Sequence, residues 1–456
     1  MALSTIPAYE PDRVAVQGDH AVVVGAGFAG MLAARVAADA YGTVTVVERD
    51  DLPATPVPRD GCPRDAHVHP LWESGLTVLE ALFPGVEEEL LDRGAVRVDL
   101  DVDGRFHSHG GVLAPGLAEH RLISATRPLF EHVLRTRLGE RDDVHVRSPC
   151  HCVGYLIPDG ATVAGVALQD GSAGPSTMAA DLVVDATGAA SRTPRWLRGH
   201  GFPAPPLEEV TIDLAAASTM VDRPPSDRRL IGVWPTAPHT RGAMVLPIER
   251  DRWQVTLTGV HGDHPPVEAS LFKAFAADLP TSRVGRLLDR HPMVQPTIAG
   301  QSVPANRRRR YEAAEPFPDG LAVIGDAVAT CDPSYGQASS VAALQALQLH
   351  HAMAGDGFEA STYFDRVADV VDAAWTVAVR GDFAYAETSG PKPRATAITN
   401  WYLDRLIRRA HGDGRLTDAY LAVASLCDPP RTLARPDVAR RVLAPQLSVP
   451  RPASFL

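Results

Sequence analysis

Apolar and polar positions along the chain fall into three patterns. The first is a short, wholly apolar run that stops at a glycine. Ala21-Val22-Val23-Val24 precedes Gly25, Leu182-Val183-Val184 precedes Asp185-Ala186-Thr187-Gly188, and the run 321–324 precedes Gly325-Asp326. Such runs predict strands buried on both faces. The second pattern is alternation. VHVRS, CVGYLI and TVAGVALQD, with turns between them, predict an antiparallel meander. DLAAASTMV, AMVLPI and WQVTLTG, all inside 200–299 and broken by prolines, predict a separate sheet. The third pattern is alanine-rich and helical: MLAARVAADAYG after the first glycine cluster, then 340–380 and 396–426. The proline- and arginine-rich tail after Pro429 is expected to wrap the surface. No internal repeat is visible.

The stretch from His20 to Glu48 holds the most information. Strand, Gly25-Ala26-Gly27-Phe28-Ala29-Gly30, helix, the strand Val44-Thr45-Val46-Val47 and a terminal acid make a βαβ unit of dinucleotide-binding length. Gly25 permits the tight turn, Gly27 the approach of a pyrophosphate, and Gly30 close helix–strand packing. The helix amino end offers free N–H groups and the positive end of its dipole. Glu48 stands where a carboxylate takes ribose hydroxyls. The segments ending at 188 and 325 supply two further strand ends that can converge on the same ligand.

Composition narrows the class. The chain has 456 residues and a formal net charge of −11, which argues against nucleic acid as a partner. The one basic run, Arg307-Arg308-Arg309-Arg310, reads as a solvated strand edge or a salt-bridged interface. No apolar run reaches the roughly 18 residues of a membrane span, and the first 18 residues hold no signal-peptide core. The five cysteines are sparse, which suits a reducing, cytoplasmic setting. Cys150-His151-Cys152, with His145 nearby, has no second pair at zinc spacing, so the reading is buried thiols on a strand and no metal.

Taken in order, GAGFAG with Glu48, DATG at 185–188 and GDAVATCDPSYGQA at 325–338 resemble the three FAD motifs of the single-component, aromatic-hydroxylase-like flavin monooxygenases. ATRPLFE at 125–131 resembles the helix whose arginine, here Arg127, approaches the flavin ribityl-phosphate region. RDGCPRDAHVHPLW at 59–72, LPIERDRWQVTLTG at 246–259 and NRRRRYE at 306–312 are similar to segments of bacterial polyether epoxidases. The likeness runs from about residue 20 to 380. It implies an α/β fold: a Rossmann-like, PHBH-like FAD-binding domain from 18–75, 121–199 and 300–353, a substrate-binding β-sheet domain from 76–120 and 200–299, and a C-terminal helical region with tail from 354–456.

The same resemblance implies a set of cofactor-binding residues. They are Gly25, Gly27, Phe28, Ala29, Gly30, Glu48, Arg49, Arg59, Arg127, Gly188, Asp326, Pro333, Gly336, Gln337, Ala338 and Ser339. Asp326 would bond the ribityl hydroxyls, Pro333 and Gly336-Gln337 would lie along the isoalloxazine, and the helix from Ser339 would point its positive end at the flavin. There is no second glycine fingerprint, so NADPH or NADH would bind transiently. The implied activity is epoxidation or hydroxylation of a large apolar polyene or polyketide through a flavin C4a-hydroperoxide. The alternative is a redox-neutral FAD-dependent [4+2] cyclase forming a decalin, with a structural flavin. A non-catalytic flavin-binding protein is the third reading. Two departures from the family pattern bear on turnover. Ala66-His67-Val68-His69 lacks the family's leading arginine, and Ala338 replaces the last glycine of Gly-Gln-Gly. Pocket candidates are His67 and His69, expected on one side of a strand, with Tyr335 facing the reaction and Trp234 as core or pocket wall. No catalytic acid, substrate identity or oligomeric state is legible.

Overall fold

In a computed structural model of the chain, residues 1–59, 61–171, 174–294, 297–355 and 357–445 are described. The apolar runs form one five-stranded sheet. Its strands are β1 (Gly18–Val24), β2 (Tyr41–Val47), β3 (Val144–Arg147), β4 (Leu182–Asp185) and β5 (Leu321–Val323), in the order β5-β4-β1-β2-β3. Every pairing is parallel. Helix α1 (Phe28–Ala37) follows β1, and α2 (Arg127–Gly139) precedes β3. α3 (Ala338–Met353) packs on α1 and on α4 (Ala360–Asp382). Helices on one face and the small meander on the other explain why these strands lack alternation.

The meander contains three strands, His151–Leu156, Gly165–Asp170 and Gly174–Ala179, antiparallel throughout. VHVRS is not part of it. Val144–Arg147 pairs in parallel with β2 and closes the sheet edge. Its alternation arises because an edge strand exposes His145 and Val146 while Val144 is buried. Cys150 is buried just before the first meander strand, and Cys152 is half-buried within it.

The second large sheet has eight strands, ordered 329–330, 299–309, 207–222, 252–259, 241–248, 230–233, 104–108 and 111–112. Residues 300–309, placed by sequence within the flavin domain, belong to the strand Ala299–Arg309, which pairs along Leu207–Asp222. The sheet therefore reaches past residue 299. The arginine run lies on this strand. Arg307 and Arg310 pair with Glu209 and Glu208 at 2.7 Å, and buried Arg308 pairs with Glu312 and Asp372. That makes it a salt-bridged strand.

Alternation along Arg252–Gly259 divides the sheet's two faces. Trp253, Val255 and Leu257 pack against the helices Ala269–Ala277 and Arg283–Arg290. Gln254, Thr256 and Thr258 face the other way and are also buried. A buried polar face is costly unless it is hydrogen-bonded or serves a site, and here it looks onto the cavities described below. Past Pro429 the chain does not simply wrap the surface: a 3-10 turn (Pro430–Ala434) and a helix (Pro436–Leu443) follow, burying Leu433 and Val442. Residues 446–456 lie outside the described part. Among the described residues no helix is long and apolar enough to cross a membrane.

Candidate cofactor and substrate site

Gly25 turns the chain from β1 at φ +109°, a region that favours glycine. A Cβ there would stand 2.7 Å from the Ala186 carbonyl oxygen at the end of β4. Gly27 caps α1 with no side-chain bond. Its nearest foreign atom is Arg127 Nη2, which a Cβ would meet at 3.4 Å. The helix amino end thus has no cap from Gly27 itself and lies beside a guanidinium.

Glu48, just past β2, accepts the Ala26 N–H at 2.8 Å and the Asp50 N–H at 3.0 Å. Arg59 bridges Glu48 at 3.4 Å and Glu131 at 2.6 Å. Arg127 donates to Glu131 at 2.7 Å and lies 3.4 Å from Asp65. Glu131 also accepts the Phe28 N–H at 3.3 Å. Burial opposes charge on Arg127, but Glu131, Cys62 and Asp65 around it hold the guanidinium protonated more firmly than usual. Burial, then repulsion by Glu131, raises Asp65 from its usual value. Arg49 departs from this cluster: it is exposed and donates to the Gly61 carbonyl at 3.2 Å.

The third motif meets the first directly. Gly325, at φ +72°, packs so closely that a Cβ would lie 2.8 Å from the Ala29 Cβ. Its N–H donates to Gln345 of α3 at 2.6 Å. Asp326 follows and pairs with Arg64. The turn continues through Asp332, whose carboxylate accepts the Ser334 N–H at 2.7 Å. Gly336, at φ +64°, lies under Pro70, and Trp72 Nε1 donates to its carbonyl at 3.0 Å. α3 then starts at Ala338 with no side-chain cap, because Gln337 donates to the Ala424 carbonyl instead.

A cavity opens over this turn. It is lined by Asp326, Pro333, Gly336, Gln337, Ala338 and Ser339, together with Arg64, His67 and His69. The glycines 25–30, Glu48, Arg59 and Arg127 form a separate cluster joined to it through the Ala29–Gly325 contact. Gly188 opens a 3-10 turn at φ +75°, with open space where a Cβ would lie. The motif's anchor is Asp185, buried and accepting from Thr187 N and Oγ1, Ser191 Oγ and Thr193 Oγ1.

Some candidates sit elsewhere than expected. His67 and His69 follow a 3-10 turn (Pro63–Ala66) and precede the strand Pro70–Trp72, so neither lies on a strand. Nδ1 of His67 is 2.7 Å from Ser218 Oγ, whereas His69 bonds the Arg64 carbonyl at 2.8 Å. Tyr335 does not line the cavity; its hydroxyl lies where a Cβ on Gly381 of α4 would stand. Trp234 is stacked on Phe106 at 5.0 Å and touches Tyr420, inside an apolar cluster. Sequence reasoning missed Glu131, although its i, i+4 spacing from Arg127 was visible. It also missed Asp382 of α4, which hydrogen-bonds buried Asp332 and is clamped by Asn306 at 2.6 Å. Burial raises both carboxyls of that pair.

These residues fit FAD. A helix N-terminus beside Arg127, whose Phe28 N–H is held by Glu131, a ribose-level carboxylate at Glu48 and an open helix N-terminus at Ala338 suit its diphosphate, adenosine and isoalloxazine ends. A diphosphate seated on α1 would share the Phe28 N–H and Arg127 with Glu131.

A parallel sheet with an open βα turn, a meander and a large second sheet define a flavoprotein of the aromatic-hydroxylase type. Residues 19–356 match the FAD binding domain family, and the chain belongs to it. It is 31% identical to Protein Rv3254 of Mycobacterium tuberculosis (strain ATCC 25618 / H37Rv) over 434 residues, 91% of each chain. The fold is similar to p-nitrophenol 4-monooxygenase PnpA from Pseudomonas putida DLL-E4, with TM-score 0.62 and 17% identity over 92% of this chain and 100% of that one. It is also similar to the Diels-Alderase PyrE3 of the pyrroindomycin pathway, with TM-score 0.59 and 18% identity over 90% and 81%.

Proposed function

We propose that the protein is an FAD-dependent monooxygenase, reduced by transiently bound NADPH or NADH, that adds one oxygen atom to a large apolar substrate of the polyene or polyketide kind. The observation that carries this reading is a pair of adjoining cavities between the 333–339 turn and the buried face of the large sheet. The larger faces the turn that would hold the flavin ring, and the second, against the sheet, shares His67, Val68, Gln301 and Pro333 with it. Bound FAD would supply the two-electron reduction and the oxygen transfer. The chain's own residues do the rest. Asp326 and the 333–339 turn hold the cofactor's ring end, and the sheet excludes water. The open start of α3 favours negative charge beside it by about 0.3–1 kcal/mol, rising to ~2 kcal/mol when partly buried.

The experiment supplies apolar polyenes to the holoprotein with NADPH or NADH under isotopically labelled dioxygen. The expected product is heavier by one labelled oxygen atom, with matching cofactor oxidation. A product of unchanged mass, formed under nitrogen without NADPH or NADH, would overturn oxygenation in favour of cyclisation.

A further inference from the structure

Two buried carboxyl groups meet at the flavin turn. Asp332 on the turn and Asp382 at the end of α4 are each 6% exposed, and they hydrogen-bond each other. Two ionised carboxylates are acceptors only, so one proton must lie between them. Among the described residues neither carboxyl pairs with an arginine, lysine or histidine side chain. Burial without a cation raises both groups, Asp382 well above its usual value.

The surrounding donors say where the proton rests. Asp332 accepts the Ser334 N–H at 2.7 Å and also the Ser334 hydroxyl. Asp382 Oδ2 accepts the Asn306 amide at 2.6 Å, while Asn306 Oδ1 accepts the Asp332 N–H at 2.5 Å. Asn306, fully buried, thus ties both residues to the strand Ala299–Arg309. With Asp332 taking the Ser334 donors, Asp382 carries the proton and donates it to Asp332. Asp332 matters to the site because its carboxylate caps the turn Pro333–Tyr335. Pro333, Gly336, Gln337, Ala338 and Ser339 line the larger cavity with it.

We infer that Asp382 is a positioning residue: through one proton shared with Asp332 it fastens the 333–339 turn to α4, and loss of that proton in alkali loosens the hold on FAD. This rests on reading the 333–339 turn as the seat of the flavin ring. The proton passes to water, and two carboxylates then face each other with no cation between them. Folding raises the proton affinity here, so the fastening is complete at low pH and is lost as pH rises through the raised value. Other titratable groups face the pair. Burial pushes the Cys331 thiol up to about 12 and raises Tyr335 and Tyr385, so none of these supplies a change below that range. Arg308 on the neighbouring strand is paired with Glu312 and Asp372, and Asp326 with Arg64. His261 lies 3.2 Å from Thr388 Oγ1, which donates to the Asp382 carbonyl at 2.7 Å.

The test uses the full chain with FAD as the probe. Ultrafiltration, with fluorescence of the free flavin, gives the FAD dissociation constant in mildly acidic and mildly alkaline buffer. Between about pH 6 and about pH 9, wild type is expected to weaken about fivefold or more. Asp382→Asn keeps the geometry, with its oxygen on Asn306 and its NH2 on Asp332, and has no proton to lose. Its affinity is expected to change less than about twofold over the same range. Infrared spectra report on the pair without flavin. The wild-type minus Asp382→Asn difference at neutral pH should show a protonated-carboxyl band that shifts in heavy water. If Asp382→Asn fails to fold, Asp332→Asn replaces it in both measurements, because its NH2 can donate to Asp382. Equal wild-type affinity at the two pH values would overturn the inference. So would an alkaline loss that persists in the asparagine variant, as it would with His261 as its source, or a difference spectrum without the band. A chain that takes up no FAD at either pH would overturn the positioning role together with the flavin reading; the other failures would leave FAD binding and oxygen transfer standing.

Discussion

Replacing Gly30 with alanine should leave almost no soluble FAD-bound protein. A Cβ at Gly30 would fall well inside the contact distance of the Gly25 carbonyl oxygen, with the Gly25 carbonyl carbon at 3.0 Å and the Ala186 Cβ at 3.2 Å. The first two are backbone atoms of the turn that defines the site, so neither can rotate away. Relief requires α1 to move off β1, and α1 is buried against most of the first core. Overpacking costs typically ~1–3 kcal/mol when side chains can adjust; here they cannot, and the loss should reach or exceed the top of that range. Gly27→Ala is the control, because its Cβ would first meet the Arg127 side chain at 3.4 Å. Thermal denaturation of both variants checks the contrast. A Gly30→Ala protein with wild-type melting and full flavin would show that the helix–strand spacing is misplaced.

The second large effect falls on Asp185, at the end of β4. Its carboxylate is fully buried and accepts four hydrogen bonds between 2.5 and 2.9 Å. Asp185→Ala removes the acceptor of all four, with Thr193 Oγ1 left in the interior, Ser191 half-buried and Thr187 exposed to water. Each unsatisfied buried donor costs about 1–3 kcal/mol, so even with water replacing some partners the loss should be on the order of 3 kcal/mol or more. Domains have only about 5–15 kcal/mol to lose. Asp185→Asn should recover part of the loss, because its amide oxygen can still accept from Thr187 while its NH2 faces the Ser191 and Thr193 hydroxyls, which must turn to accept. Urea denaturation measures both. A midpoint within error of wild type for Asp185→Ala would refute the anchoring role.

The βαβ unit and the 325–338 turn were legible because their signals are local. Apolar runs closed by glycine mark strands covered on both faces, and the positive φ at Gly25, Gly325 and Gly336 explains why glycine stands there. The residues that complete the site were less legible because their partners are distant in sequence. Arg64 meets Asp326 across 262 residues, and Ser218 meets His67 across 151. Nothing near either residue announces the pairing. Aromatic side chains misled for a related reason. Tyr335 follows the flavin turn in sequence, yet the space at Gly381 draws its ring toward α4. Trp234 had a core reading, and its stacking on Phe106 places it there. One signal went unused: Gln254, Thr256 and Thr258 alternate with Trp253, Val255 and Leu257 on a strand buried on both faces. Polar residues at buried alternate positions mark the side that faces a site.

Flavin stoichiometry tests the central claim most directly, namely that segments near 27, 48, 127 and 326 close around one FAD. Purified wild type, denatured and analysed for released flavin, should yield one FAD per chain, while folded Gly27→Val and Asp326→Ala should yield little. A wild-type chain that carries no flavin and takes up none when FAD is added, or full retention in both variants, would contradict the account.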